Sequence, residues 1–297
     1  MPEAADFRAG YVAIVGRPNV GKSTLLNRLI GQKLSITSRK PQTTRQRVTG
    51  ILTLEAAQLL FVDTPGFQTR HASALNRGMN RTVTRALAEV DVVLLVIEAL
   101  RFSAEDEAVL KLMPAQRPAL LVINKTDKLA DRRLLLPFIQ QMAQRHAFAE
   151  IVPVSAAKGH SISELARAIS GYLPQQPPLY AKDEFTESSE RFLAAELVRE
   201  KLFRMLGDEL PYVCAVLIER FVMTDALRRI QASIIVDKQS QKGIIVGAKG
   251  SRLKEIATQA RIDMERLFGG KVHLEVWVKV KSGWTENRQL LKQLGYV

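Results

Sequence analysis

Apolar residues fall along this chain in two successive rhythms. Up to about residue 173, short uninterrupted apolar runs at 11–15, 59–62, 92–97, 119–123 and 151–154 alternate with longer amphipathic stretches. Runs this continuously apolar predict strands buried on both faces. A mainly parallel sheet covered by helices follows. The stretch Pro174-Gln175-Gln176-Pro177-Pro178 cannot continue a helix and reads as a linker. Beyond it the rhythm changes. Residues 187–207 read as a helix whose stripe is Phe192, Leu193, Leu197, Leu202, Phe203 and Leu206. Strands are predicted over 213–219 and 230–236, then a glycine-containing loop, a helix over 251–268, a strand over 272–280 and a closing helix over 286–294. The pattern therefore predicts an α/β domain over residues 1–178 and a smaller α+β domain over 179–297.

Composition adds little to that picture and charge adds more. The 297 residues are 46% hydrophobic and 25% charged, as in a soluble globular protein. No apolar run reaches the ~18 residues of a membrane span. The first ten residues are polar and include Glu3 and Asp6, unlike a signal or transit peptide. Cys214 is the single cysteine, so an internal disulfide and a multi-cysteine metal site are excluded. It lies in an apolar run and reads as a core residue. A cytoplasmic protein is expected. The net charge of +13 points to a polyanionic partner, nucleic acid ahead of membrane. The last 70 residues, 228–297, hold 14 basic and 6 acidic side chains, against 6 and 10 in residues 179–227.

The chemistry sits on loops that follow the predicted strands. Gly16-Arg17-Pro18-Asn19-Val20-Gly21-Lys22-Ser23 matches the phosphate-loop pattern GxxxxGK[ST], after a strand and before a helix that begins near Thr24. Glycines there let backbone amides turn inward around phosphate, and the helix adds its positive end. Lys22 then reaches the β- and γ-phosphates, and the Ser23 hydroxyl ligates Mg²⁺. Asp63-Thr64-Pro65-Gly66 follows the second run. It supplies a carboxylate for the metal through water and a Gly66 amide for the γ-phosphate, where a bare β-turn is the alternative. In Asn124-Lys125-Thr126-Asp127 the Asp127 carboxylate can accept from both donors on the guanine edge, a pair that adenine lacks. Ser155-Ala156-Ala157-Lys158 can offer a backbone amide to the guanine carbonyl. The nucleotide is thus GTP or GDP.

These loops resemble those of the translation-factor-related small GTPases, and Lys40-Pro41-Gln42-Thr43-Thr44-Arg45-Gln46-Arg47 resembles the first switch of the Era family. The resemblance implies a threonine ligand for Mg²⁺ in that segment: Thr44, with Thr43 as the alternative. Lys22, Thr44 and Gly66 become the candidate catalytic residues. Ras-like proteins carry a water-orienting glutamine directly after this glycine, but Phe67 stands there. Slow intrinsic hydrolysis is expected. Asn19 is similar to an asparagine that helps bind K⁺ in related GTPases; the alternative is a turn residue.

In the second half, Gly247-Ala248-Lys249-Gly250, between the apolar Ile244-Ile245-Val246 and a helix carrying Arg252, Leu253 and Lys254, resembles the GxxG loop of KH modules. There the backbone clamps single-stranded RNA at its phosphates. Ile245, Leu253 and Ile256 read as groove or core residues. Trp277 and Trp284 are candidates for base stacking, with core packing the alternative, favoured at Trp277. A G domain followed by a KH-like domain is the arrangement of the Era family. It implies a role in maturation of the small ribosomal subunit on its ribosomal RNA, no DNA partner, and peripheral contact with the inner face of the bacterial plasma membrane. The competing functions are a non-turnover RNA-binding scaffold and a membrane-surface signalling GTPase.

Overall fold

The computed structural model describes residues 6–38, 40, 43–67, 74–207, 210–224 and 227–296. Pro41, Gln42 and Gln68 of the predicted switch loops lie outside them. Contacts divide the chain into two compact units, one from most of residues 6–187 and the other chiefly from residues 188–296.

The first unit is an α/β layer structure. Strands β1 (Arg8–Val15), β2 (Val48–Thr53), β3 (Ala57–Asp63), β4 (Val92–Glu98), β5 (Ala119–Asn124) and β6 (Glu150–Pro153) alternate with helices α1 (Lys22–Ile30), α2 (Ala74–Glu89), α3 (Ala104–Leu110), α4 (Leu135–Ala143) and α5 (Ile162–Ser170). The sheet order is β2-β3-β1-β4-β5-β6, parallel throughout except for the antiparallel β2–β3 pair. Strands β3 and β5 are buried at every position, which is why their sequences run apolar without alternation. Because β1, β3, β4, β5 and β6 are parallel, the loops that follow them all emerge at one edge of the sheet.

The predicted linker is not free chain. Ala9 N–H donates to the Pro174 carbonyl (3.1 Å) and Gln176 N–H to that of Phe7 (3.0 Å). The buried Gln58 side chain accepts from Leu179 and Tyr180 at 2.8 and 2.9 Å. Ile51 N–H donates to Phe185 (2.9 Å) and Thr186 Oγ1 to Thr49 O (2.6 Å), so the segment covers the outer edge of β2. The first unit accordingly runs to Glu187, nine residues beyond the boundary read from the prolines.

The second unit packs helices α6 (Glu190–Met205), α7 (Gln239–Val246) and α8 (Ser251–Phe268) against a three-stranded sheet of β7 (Ala215–Thr224), β8 (Leu227–Val236) and β9 (Lys271–Val280), with α9 (Arg288–Gln293) closing the chain. Strand β8 is central, antiparallel to β7 and parallel to β9. Val198, Leu202, Ile230, Ala232, Ile234, Ile245, Ile256, Ala260 and Met264 build its core, and Cys214 is buried among them. Trp284, rather than Trp277, is the fully buried tryptophan, and its indole N–H donates to Val213 O at 2.9 Å. Burial of a large ring whose only polar atom is satisfied predicts a strong dependence on this position. Trp284→Ala is expected to destabilise the second unit by about 3–5 kcal/mol, and Trp284→Phe by about 1–2 kcal/mol through the orphaned Val213 carbonyl. Denaturant unfolding followed by far-UV circular dichroism reads both values; a Trp284→Phe cost near zero would contradict the assigned bond.

Candidate functional site

The loop between β1 and α1 winds tightly because Gly16 and Gly21 tolerate no side chain. Gly21 has φ +103°, and a β-carbon there would lie 2.3 Å from the Asn124 amide nitrogen. The loop leaves Lys22 at the first position of α1, 6% exposed, its Nζ donating to the carbonyls of Gly16 (3.0 Å) and Arg17 (3.1 Å). Burial strips water from the ammonium and lowers the Lys22 pKa to about 8; Asp63 and Asp106 oppose that shift and Arg17 adds to it. The cation is held over the mouth of a loop built to receive anions.

Beside it three oxygens converge. Ser23 Oγ lies 2.9 Å from Thr44 Oγ1 and donates to Asp63 Oδ2 at 2.9 Å, and Thr44 Oγ1 reaches the same oxygen at 3.1 Å. The structure thus brings Thr44 of the two threonines to this cluster. Among the described residues Asp63 Oδ1, though buried, accepts no hydrogen bond. Burial raises the Asp63 pKa, while the charge of Lys22 and the hydroxyls of Ser23 and Thr44 pull it back in part. Hard oxygen donors around a carboxylate with an unused buried oxygen fit Mg²⁺, which takes one or two carboxylates and completes its shell with phosphate and water. Among the described residues no group of three or more His, Cys, Asp or Glu forms an all-protein metal cage. Thr64 Oγ1 is bonded to Ile14 O (2.9 Å), Pro65 is buried, and Gly66 lies against Pro18. Phe67 packs on the core and offers no polar atom to solvent. Asn19 is exposed with φ +66°, a conformation asparagine tolerates, which favours its turn role.

At the end of β5 Asn124 ties two loops together: its Nδ2 donates to Val20 O (2.8 Å) and its Oδ1 accepts from Ala156 N–H (3.0 Å). Asp127 stands partly exposed, one oxygen accepting from Ser155 Oγ at 2.5 Å. That bond holds its carboxyl below the usual carboxylate range. Lys125 is kept in the left-handed region (φ +67°), its ammonium 3.0 Å from Glu98.

Four residues that sequence reading passed over support these loops. Arg17 bonds Asp106 Oδ2 through Nε (3.1 Å) and Glu98 Oε2 through a terminal nitrogen (3.2 Å). Asp106 is wholly buried. Burial works to raise the Glu98 pKa, but Lys125 and Arg17 outweigh it and the net shift is downward. Glu98 therefore joins the phosphate loop to the guanine-side loop. Arg28 donates to the carbonyls of Ala156 (3.1 Å) and Ala157 (2.7 Å). The available signal was a charged residue ending an apolar run, as Glu98 does, and an arginine inside the phosphate loop.

In the second unit Gly247 adopts φ +72°, ψ −178°, and a β-carbon would lie 2.8 Å from that of Arg252. Ala248, Lys249 and Gly250 form a single turn entering α8, with Lys249, Arg252 and Lys254 exposed. Ile245 is fully buried, which removes it from any surface contact; its neighbour Ile244 is 45% exposed, and Val246 and Leu253 are half-buried beside the loop.

Known proteins match this arrangement along the whole chain. A family described as 50S ribosome-binding GTPase matches residues 11–125, and a KH domain matches residues 209–285. The chain is 58% identical over 293 residues to the GTPase Era of Nitrosomonas eutropha, covering 99% of each. It is 55% identical to that of Neisseria meningitidis serogroup B, covering 98% of this chain and 96% of the relative. An Aquifex aeolicus Era variant crystallised with GDP·AlF₄⁻ superposes with a TM-score of 0.94 at 41% identity, over 98% of this chain and all of that one. A structure of Era with MgGDPNP and nucleotides 1506–1542 of 16S ribosomal RNA also gives 0.94 at 41% identity, over 98% and 99%.

The buried ammonium yields a pH prediction for magnesium-free buffer. Phosphate beside Lys22 must raise its pKa above about 8, so the lysine's contribution to binding is complete below that pH and is lost as pH rises above it. GDP affinity should be level from about pH 6.5 to 7.5 and weaken by up to about tenfold per unit above pH 8. Titration calorimetry in two buffers of different ionisation enthalpy should show net proton uptake near pH 8. Uptake indistinguishable from zero would refute the assignment.

Proposed function

The chain belongs to the Era family of GTPases, and on that premise we propose that it is a GTP-timed maturation factor which binds the ribosomal RNA of the small subunit through its KH domain. Its GTPase activity is that of the family. The observation that carries the finer reading is the presence in one chain of the Lys22–Ser23–Thr44–Asp63 cluster and the Gly247–Gly250 loop, at full-length likeness to a relative that holds 16S RNA. The G-domain family's description names the large subunit. The relative sharing both units holds RNA of the small one, and it is the better guide.

In this reading the amides from Gly16 to Ser23, with Thr24 just behind, cradle the phosphates and Lys22 neutralises their bridging charge. Ser23 and Thr44 would hold Mg²⁺ through their hydroxyls, with the Asp63 carboxylate beside them. When bound, the ion neutralises charge on the transferring phosphoryl group. Gly66, which lies against Pro18 of the phosphate loop, would come beside the γ-phosphate. Asp127 accepts from the two donors of the guanine edge, and the Ala156–Ala157 turn donates to its carbonyl. Phe67 can orient no water, so turnover is slow until a bound partner, or K⁺ beside Asn19, completes the site. The bare Gly247–Gly250 backbone admits RNA phosphates, Lys249, Arg252 and Lys254 supply charge, and Leu253 offers an apolar contact. GTP orders the loops around Thr44 and Gly66, and that state engages RNA until hydrolysis releases it.

GTP turnover should rise when small-subunit ribosomal RNA is added; a background rate with and without RNA would defeat the timer. Asp127→Asn should shift preference from GTP toward xanthosine triphosphate, whose ring carbonyl replaces the amine. Unchanged preference would show that the guanine loop is misassigned. Gly247→Asp with Gly250→Asp should abolish retention of the RNA fragment and leave GDP affinity within about twofold, since the charge is added far along the chain from the nucleotide loops.

A further inference from the structure

We infer that Arg28 is a positioning residue for guanine recognition, setting the direction of the backbone amide that meets the base carbonyl. The inference rests on the guanine reading above. Its basis is the bonding of the turn at residues 155–160. Ser155 N–H donates to His160 O, and the amides of Gly159 and His160 both return to Ser155 O at 2.7 and 3.1 Å. Ala156 N–H is taken by Asn124 and Lys158 N–H by Ser155 Oγ at 3.2 Å. Among the described residues, the Ala157 amide is the one backbone donor of this turn with no acceptor, and Ala157 is exposed.

A trans peptide points its carbonyl and its amide in opposite directions. The Ala157 amide shares a peptide with the Ala156 carbonyl, and that carbonyl is held by Arg28 Nε. The next carbonyl, Ala157 O, is held by a terminal nitrogen of the same guanidinium. The guanidinium also lies 3.7 Å from where a Gly159 β-carbon would stand, so it spans the outside of the turn. Two fork-like bonds from one planar cation fix two successive peptides at once, which a single donor cannot do. Arg28 sits near the end of α1, the helix that Lys22 begins. One rigid element thereby sets the distance between the phosphate-side cation and the base-side amide.

The test uses the full-length protein with Arg28→Met, a helix-tolerant replacement of similar length, and Arg28→Lys. Affinities for GDP and inosine diphosphate, GTP KM and kcat, and thermal melting are measured. Both bases carry the carbonyl, so Arg28→Met should weaken both diphosphates by the same factor, about tenfold. KM for GTP should rise in parallel, with kcat within about twofold and the melting temperature nearly unchanged. Arg28→Lys, with one donor direction in place of two, should fall between, and it keeps the comparison readable if Arg28→Met proves unstable. GDP affinity within twofold of native in Arg28→Met, or kcat falling as far as affinity, would overturn the inference. Asp127→Asn run alongside separates the two levels: if its base preference shifts while Arg28→Met binds normally, only the role of Arg28 fails. If Asp127→Asn leaves preference unchanged, the guanine reading fails and this inference with it.

Discussion

A lysine ammonium kept out of water is the constraint around which the first unit is organised. Among the described residues the acceptors of Lys22 are two carbonyl oxygens of its own loop, and burial lowers its pKa to about 8. Desolvating an ammonium is costly. The arrangement persists because the surrounding backbone holds it. Gly21 cannot carry a side chain beside Asn124, Asn124 clamps Val20, and Arg17 is anchored on two carboxylates. A site whose charge is placed before the ligand arrives needs little reorganisation when phosphate replaces the carbonyls.

The loops are cross-tied rather than independent. The shared Glu98 carboxylate links Arg17 to Lys125, and Asn124 links Val20 to Ala156. Arg17 and Asp106 form an almost fully buried pair in which Ser103 donates two further bonds to the same Asp106 oxygen. Breaking such a pair from one side costs about 3–5 kcal/mol, because the remaining charge is stranded. The parallel sheet makes these ties possible: every loop they join leaves a strand at the same edge.

Much of this was legible in sequence, for reasons that also mark where legibility ends. Strands such as β4 and β5 are buried on both faces and announce themselves as apolar runs; β2, which contains Gly50, two threonines and a basic approach, gives no such signal. The eight-residue α7 was read as an apolar run before a glycine, since its Ile244-Ile245-Val246 end hides a helix whose start is polar. The stretch 174–178 reads as a linker because proline excludes helix, but proline does not exclude hydrogen bonding to a neighbouring strand, as Pro174 and Gln176 bond Ala9 and Phe7. Loop motifs name their own residues because phosphate, metal and base demand particular atoms. The residues that brace them, Arg17, Glu98, Asp106 and Arg28, are tied by bonds that span 81 to 128 positions of the chain, which no local spacing encodes. The tryptophans invert the expectation for a similar reason: the strand residue Trp277 keeps partial exposure, while Trp284 is drawn inward by a carbonyl in a distant turn.

Basicity in the second unit has a local explanation in the same terms. Many of its cations are matched: Arg228 with Glu190, Lys201 with Asp263, Arg261 with Glu265, and Lys279 with Glu219. Between residues 238 and 254 the chain carries Lys238, Lys242, Lys249, Arg252 and Lys254 with no acidic residue, and no ion pair is recorded for them among the described residues. Their field is screened within about 8–10 Å at cellular salt, so it acts on a ligand only in close approach. Gly247 and Gly250 supply that approach, because a phosphate can meet bare backbone within reach of the exposed Lys249 and Arg252. Charge and backbone together bind any strand of the right geometry. Neither charge nor bare backbone distinguishes one RNA sequence from another; the surface beside the loop that can do so is the apolar one, which includes Ile244 and Leu253.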